Sequence, residues 1–259
     1  MISTANFNYK GKKYGVNFDR PLNISLPLKA GIETVNCFYA PPVQIEPVRA
    51  GDFIGSTQAG GPVNFMNVRL NPHGNGTHTE CVGHISKEPF FIDDCLERFL
   101  FFAKLVSLFP TRQASGDRII EEKQLKESMA ADEAEAIIIR TLPNDESKRT
   151  RQYSGTNPPY LDPKGVEHLV SCGVEHLLVD LPSVDREEDG GKLLSHKAWW
   201  NYPAENAAEI RQNASITELV YVPDDIPDGY YLLNLQICAM KLDAVPSKPV
   251  IYPILEIDA

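Results

Sequence analysis

The sequence predicts a single α/β domain over residues 1–259, with a mixed β-sheet core and flanking helices. Three observations lead there. Short apolar stretches bounded by turn residues recur through the first third of the chain and again after about residue 216. A capped helix followed at once by a buried strand, the unit of α/β packing, is legible in the second half. The chain is 42% hydrophobic and 23% charged, without repeats or low-complexity tracts, and its 259 residues suffice for one full core.

Taken in order, VNFMNVRL (63–70) alternates with period two and reads as a strand. FLFFAKLVSLF (99–109) carries Lys104 and is too short to span a bilayer, so it predicts a buried strand. IIEEKQLKESMAA (119–131) has the pattern of an amphipathic helix, and AEAIIIRT (134–141) that of a buried strand. LPNDESKRTRQYSGTNPPYLDP (142–163) is too rich in Pro, Ser, Asn and Gly for a regular element. A loop of that length in a compact domain suits a lid or a binding loop. Asp162 can cap a helix that begins at Pro163 and ends at Gly173, and EHLLVDLP (175–182) follows as a strand. Strands then dominate from about 216, broken by PDDIPDG (223–229).

A net charge of −10 argues against nucleic acid and anionic membrane as partners, since both reward clustered Lys and Arg. The polar N-terminus shows no targeting segment. Five scattered cysteines (37, 81, 95, 172 and 238) form no CxxC pair, which suits a reducing cytoplasm.

The chemistry concentrates in NPHGNGTHTECVGH (71–84), with three of the six histidines. If the part after the glycines is extended, His78, Glu80 and His84 share one face, and Cys81 points to the other. Two imidazoles and a carboxylate are donors that suit zinc, manganese or iron. Gly74 and Gly76 argue against a helix here, so His73 joins the cluster only if Gly74-Asn75-Gly76 bends the chain back, with glycine supplying positive φ. A Cys81–His84 nucleophile pair and a merely polar loop remain open on the residues alone. No GxSxG, Walker loop or strand-bound GxGxxG is present.

GTHTECVGH (76–84), its lead-in PVNFMNVRLNPH (62–73), NISLPL (23–28) and VSCGVEHLLVDLPSVD (170–185) together resemble the cyclase family of metal-dependent hydrolases, best known from bacterial kynurenine formamidases. The resemblance implies a swivelling β/β/α-like fold and hydrolysis of an aryl formamide or cyclic amide by metal-activated water. It implies one or two divalent ions, zinc ahead of manganese, and a homodimer or homotetramer. Position by position it makes His73, His78, Glu80, His196 and Glu218 metal ligands and His84 the acid/base. Phe38 and Tyr39 become substrate contacts, with Tyr153 and Tyr160 weaker ones. His168 and His176 find no counterpart and read as structural.

Three departures stand out. Glu80 replaces the family's aspartate, moving the carboxylate by ~1.5 Å. Val82 replaces a proline, and one extra residue separates His73 from His78. These motivate a second reading, a metal-deficient relative that binds a small ligand or a protein. His196 also has a plainer reading, as a first-turn surface residue behind a Ser195 N-cap.

Overall fold

Residues 3–257 are described by the computed structural model of the protein. Ten strands form one sheet: β1 (Thr4–Tyr9), β2 (Lys12–Asn17), β3 (Leu22–Asn23), β4 (His78–Glu80), β5 (Leu100–Leu108), β6 (Ala136–Thr141), β7 (His176–Val179), β8 (Ser215–Glu218), β9 (Gly229–Ile237) and β10 (Ala244–Ile257). The helices are short: α1 (Pro72–Asn75), α2 (Ile92–Cys95), α3 (Glu122–Ser128), α4 (Pro163–Ser171) and α5 (Leu194–Trp200). None of them is long and apolar enough to cross a membrane.

The expected mixed sheet is present, and it closes on itself. β5, β6, β7 and β8 run parallel. β9 joins β5 and β10 joins β9, both antiparallel. At the other side β4 pairs antiparallel with β8 and also with the start of β10, which completes a seven-stranded barrel. β10 is 14 residues long, so it can close the barrel with Ala244–Pro246 and still carry β2 on Ile254–Ile257.

Strand parity divides the core. On β6, Ile137 and Ile139 face a cluster with Leu125, Val166, Leu169, Trp199 and Trp200 of α3, α4 and α5. Ala136 and Ile138 face the opposite way, toward Phe101, Leu105, Leu233, Val245 and Ile251. Burial on both faces explains the unbroken apolar run of β6, as expected for a parallel strand.

α4 follows its sequence signals. The Asp162 carboxylate accepts the Lys164 N–H at 2.9 Å, Pro163 occupies the first turn, and Gly173 takes φ +81° beyond the end. The helix expected over 119–131 is shorter. Arg118–Ile120 instead pairs as a strand, in parallel with Tyr160–Leu161. A reciprocal cap between Glu121 and Gln124 fixes the helix start at Glu122. Residues 142–163 are otherwise irregular apart from one 3-10 turn, Glu146–Arg149. The strand within 63–70, Met66–Arg69, pairs only with Gln44–Pro47 and is exposed along its length, so its alternation marks a surface ribbon.

Candidate metal centre

β4 has three residues, and its position between β8 and β10 makes it the floor of the site. Its register places Glu218 directly across from His78, and Ile216 and Ala244 across from Glu80. Opposed residues on an antiparallel pair share a face, so Glu218 is carried to the histidine motif by pairing alone. Thr79, pointing the other way, ties the two strands through a 2.8 Å hydrogen bond with Thr217.

The chain reaches β4 through α1, which the sequence reading excluded. Asn71 caps it by accepting the Gly74 N–H at 3.0 Å, and Pro72 stands at its first position. The two glycines do not act through positive φ. A Cβ on Gly74 would lie 2.2 Å from the Ala40 Cβ, and Gly76 is extended but pressed against Leu28. They permit close approach, and the single helical turn swings His73 over the cluster. Strand geometry also ends sooner than expected: Val82–His84 is a 3-10 turn, and that turn, not strand parity, brings His84 to the site.

The buried rings have one nitrogen committed each. His78 Nδ1 donates to the Gly76 carbonyl at 3.0 Å, leaving Nε2 as the free lone pair. His196 Nδ1 donates to Asp185 Oδ2 at 2.6 Å, again leaving Nε2. Asp185 also accepts the Ser195 and His196 N–H groups, so it caps α5 from outside. Ser195 is therefore a buried first-turn residue and not the N-cap, and His196, 2% exposed, is no surface residue.

Four buried atoms here lack a hydrogen-bond partner: His78 Nε2, His196 Nε2, and both carboxylate oxygens of Glu80. They face one another. His196 Nε2 lies 3.2 Å from Glu80 Oε1, His73 Nδ1 3.2 Å from Glu80 Oε2, and His78 Nε2 3.4 Å from Glu218 Oε2. Buried polar atoms are almost always paired. Donors converging with their lone pairs unspent are what a cation would satisfy, and imidazole with carboxylate fits a divalent ion. His73, His78 and Glu80, and also Glu80, His84 and His196, present ligand atoms within 4.8 Å of one another. Glu218 stands just behind, and its other oxygen accepts the Val184 N–H at 3.1 Å.

A third such group joins His73 and His84 to Asp243, a residue that no sequence signal singles out. His73 Nε2 lies 2.9 Å and His84 Nδ1 3.5 Å from Asp243 Oδ2. Burial alone would lower the pKa of His73 and His196. The carboxylates of Asp243 and Glu80 beside the first, and of Asp185 and Glu80 beside the second, raise both to about 10. Burial would raise the pKa of Glu80, but His84, His196 and His73 hold it well below the usual carboxylate range.

The cavity beside the cluster measures about 160 Å³ and is lined by Phe38, His73, His84, Ser183, Arg186 and Leu193, among others. Tyr39 does not line it; its ring is exposed and its N–H donates to Ser154 Oγ at 2.8 Å. Loop 142–163 borders the rim, since the Gly155 and Asn157 N–H groups donate to Glu187 at 2.6 and 3.1 Å. Tyr153 is buried elsewhere, and Tyr160 faces Asp117. Cys81 is fully buried beside Cys95, which with burial pushes its thiol far up, against a nucleophilic role. His168 bonds the Met129 carbonyl and His176 bonds Ser215, both away from the site.

A closed barrel here carries a buried imidazole–carboxylate cluster that could hold a divalent metal ion. The chain belongs to the cyclase family, whose model, described as "Putative cyclase", matches residues 22–186. His196, Glu218 and Asp243 lie beyond that match, so geometry alone places them in the site. No curated protein matches the chain in sequence. Among solved structures it is similar to a "predicted metal-dependent hydrolase" from Bacillus stearothermophilus, at 13% identity and TM-score 0.59, over 90% of this chain and 98% of that one. It is similar to isatin hydrolase A from Labrenzia aggregata, at 13% identity and TM-score 0.62, over 90% and 93% of the two chains. An isatin hydrolase bound to the product analogue thioisatinate gives 16% identity and TM-score 0.61, over 90% and 92%. At such identities the likeness is one of fold.

Proposed function

We propose that the protein is a metal-dependent hydrolase that cleaves the amide-type C–N bond of a small aryl formamide or cyclic amide, in the manner of an arylformamidase. The observation that carries this is the convergence of four buried, partnerless ligand atoms on His78, Glu80 and His196. The fold it shares with isatin hydrolases, which act on a cyclic amide, supports the substrate class.

His73, His78, Glu80, His196 and Glu218 would hold one or two ions, zinc ahead of manganese. A bound ion would supply Lewis-acid polarisation of the carbonyl and a water acidified toward neutrality. His84 is the one histidine of the cluster whose side chain is as much as 30% exposed to the cavity side. It takes a proton from the attacking water and returns one to the leaving nitrogen, so the C–N bond breaks as the C–O bond forms. The cavity admits a small molecule only, and Phe38 gives an aromatic substrate a ring to stack on. Phe38 and Tyr39 both hold positive φ (55° and 53°), a conformation rare for bulky side chains and kept where position matters.

The test is hydrolysis of N-formylkynurenine and of isatin by protein purified without chelator, alongside elemental analysis. Near-stoichiometric zinc or manganese, with turnover abolished by chelator and restored by metal, is expected. Metal-free protein that gains nothing on adding either ion would overturn the reading.

A further inference from the structure

We infer that Asp243 is the positioning residue of this centre, aiming His73 Nδ1 into the ligand cluster and holding His84 with its other nitrogen toward the cavity. The inference rests on the metal-hydrolase reading above and deepens it.

The geometry begins with the extra residue before His78. His73 comes from a separate helical turn, so nothing in β4 fixes the direction of its ring. Its two nitrogens face different acids: Nδ1 lies 3.2 Å from Glu80, and Nε2 lies 2.9 Å from Asp243. Asp243 can only accept there, so Nε2 carries a hydrogen, and Nδ1 is the nitrogen whose lone pair would meet a cation held by Glu80. Asp185 does the same for His196, and the Gly76 carbonyl for His78. With Asp243 included, all three imidazole ligands have their second nitrogen tied to an acceptor. Such outer partners orient a ligand and raise its basicity.

The same oxygen, Oδ2, lies 3.5 Å from His84 Nδ1. That arrangement places the hydrogen of His84 on Nδ1 and leaves Nε2 to accept a proton. An acid behind an imidazole base sets its tautomer and stabilises its protonated form.

The backbone is built to bring Asp243 in. Its carbonyl accepts the Cys81 N–H at 3.0 Å, next to Glu80, and Ala244 pairs with Glu80 in the closing seam of the barrel. A Cβ on Gly83 would lie 3.2 Å from the Asp243 Cβ and 2.1 Å from the Phe90 carbonyl oxygen. Glycine in the motif's final CVGH is thus required by the Phe90 carbonyl, and any side chain there would also crowd Asp243.

Two variants separate its roles. Zinc affinity is measured by competition with a chromogenic chelator, kcat and KM with isatin and N-formylkynurenine, and folding by circular dichroism of chelated protein. Asp243→Ala removes both contacts and should weaken zinc binding roughly 10- to 100-fold, with an unchanged spectrum. Asp243→Asn can keep one acceptor oxygen between the two rings but removes the negative charge that stabilises His84 when it holds a proton. It should retain zinc affinity within an order of magnitude, lower kcat roughly tenfold or more, and leave KM in place.

Wild-type zinc affinity in Asp243→Ala, or wild-type kcat in Asp243→Asn, overturns the inference while leaving the hydrolase reading intact. Absence of zinc binding by the wild-type protein instead overturns that reading and the inference with it. The affinity measurement decides the role toward His73 whichever substrate is turned over.

Discussion

Stripping metal from the protein should lower its melting temperature by about 8 °C, and adding zinc back should restore it. The size follows from the four partnerless atoms of His78, Glu80 and His196, all buried. An unsatisfied buried polar atom costs about 1 kcal/mol at the low end, so four amount to ~4 kcal/mol that a bound cation recovers. Ligand at a thousand times its dissociation constant stabilises by a similar ~4 kcal/mol. A chain of this length shifts by about 2 °C per kcal/mol.

The assay is differential scanning calorimetry of chelated, zinc-loaded and manganese-loaded protein. Manganese is included because the five free cysteines would bind zinc in the unfolded chain and shrink its apparent effect. Glu80→Gln supplies the control from within the cluster. It keeps the volume of a fully buried side chain but removes the charge that faces three imidazoles. The metal-dependent shift should disappear in it. Equal melting temperatures for chelated and loaded wild-type protein, or an undiminished shift in Glu80→Gln, would refute the reasoning.

Further outcomes follow from the same geometry. His84→Ala should keep its metal by elemental analysis and lose turnover by a factor of roughly 100 or more, whereas His78→Ala should lose the metal; full activity in His84→Ala removes its acid/base role. Lys148→Met should destabilise the fold by roughly 3–5 kcal/mol in urea titration, because the Lys148 ammonium, 2.7 Å from the fully buried Asp180, would leave that charge unpaired; an unchanged midpoint contradicts this. Burial, with Arg98 and Arg211 nearby, lowers the pKa of His176 to about 3. The ring thus stays neutral in the folded protein while the unfolded chain protonates it below about pH 6.5, so stability is full above that pH. It falls by about 1.4 kcal/mol per unit as pH drops toward 3. Comparing urea unfolding of wild type and His176→Gln at pH 7 and pH 5 isolates this slope; a gap between the two proteins that does not change with pH would count against it.

What the sequence made legible was the part governed by local rules. Alternation along His78–Glu80 separated the ligands from Cys81, and the Asp162, Pro163 and Gly173 signals bounded α4 correctly. The misreadings came where one local rule masked another. Gly74 and Gly76 read as helix breakers, although Asn71-Pro72 just ahead is itself a helix-start signal. Ile119-Ile120 fits the apolar stripe of a helix and equally a strand, and only the Glu121–Gln124 cap decides between them.

Asp243 had no local signal to offer. It meets His73 across 170 residues, because the three-residue β4 is clamped between β8 and β10. A strand that short carries almost no periodicity, so the closure of the barrel could not be read from the sequence, nor could the acid that closure delivers. The one-residue displacement of His73 looked like a reason to doubt the metal site. In the folded chain that histidine sits on a helical turn separate from β4, with Nε2 on Asp243 and Nδ1 on Glu80. A ring held between two acids from opposite ends of the chain needs no support from strand geometry, and substitutions at Asp243 test how far that hold sets its direction.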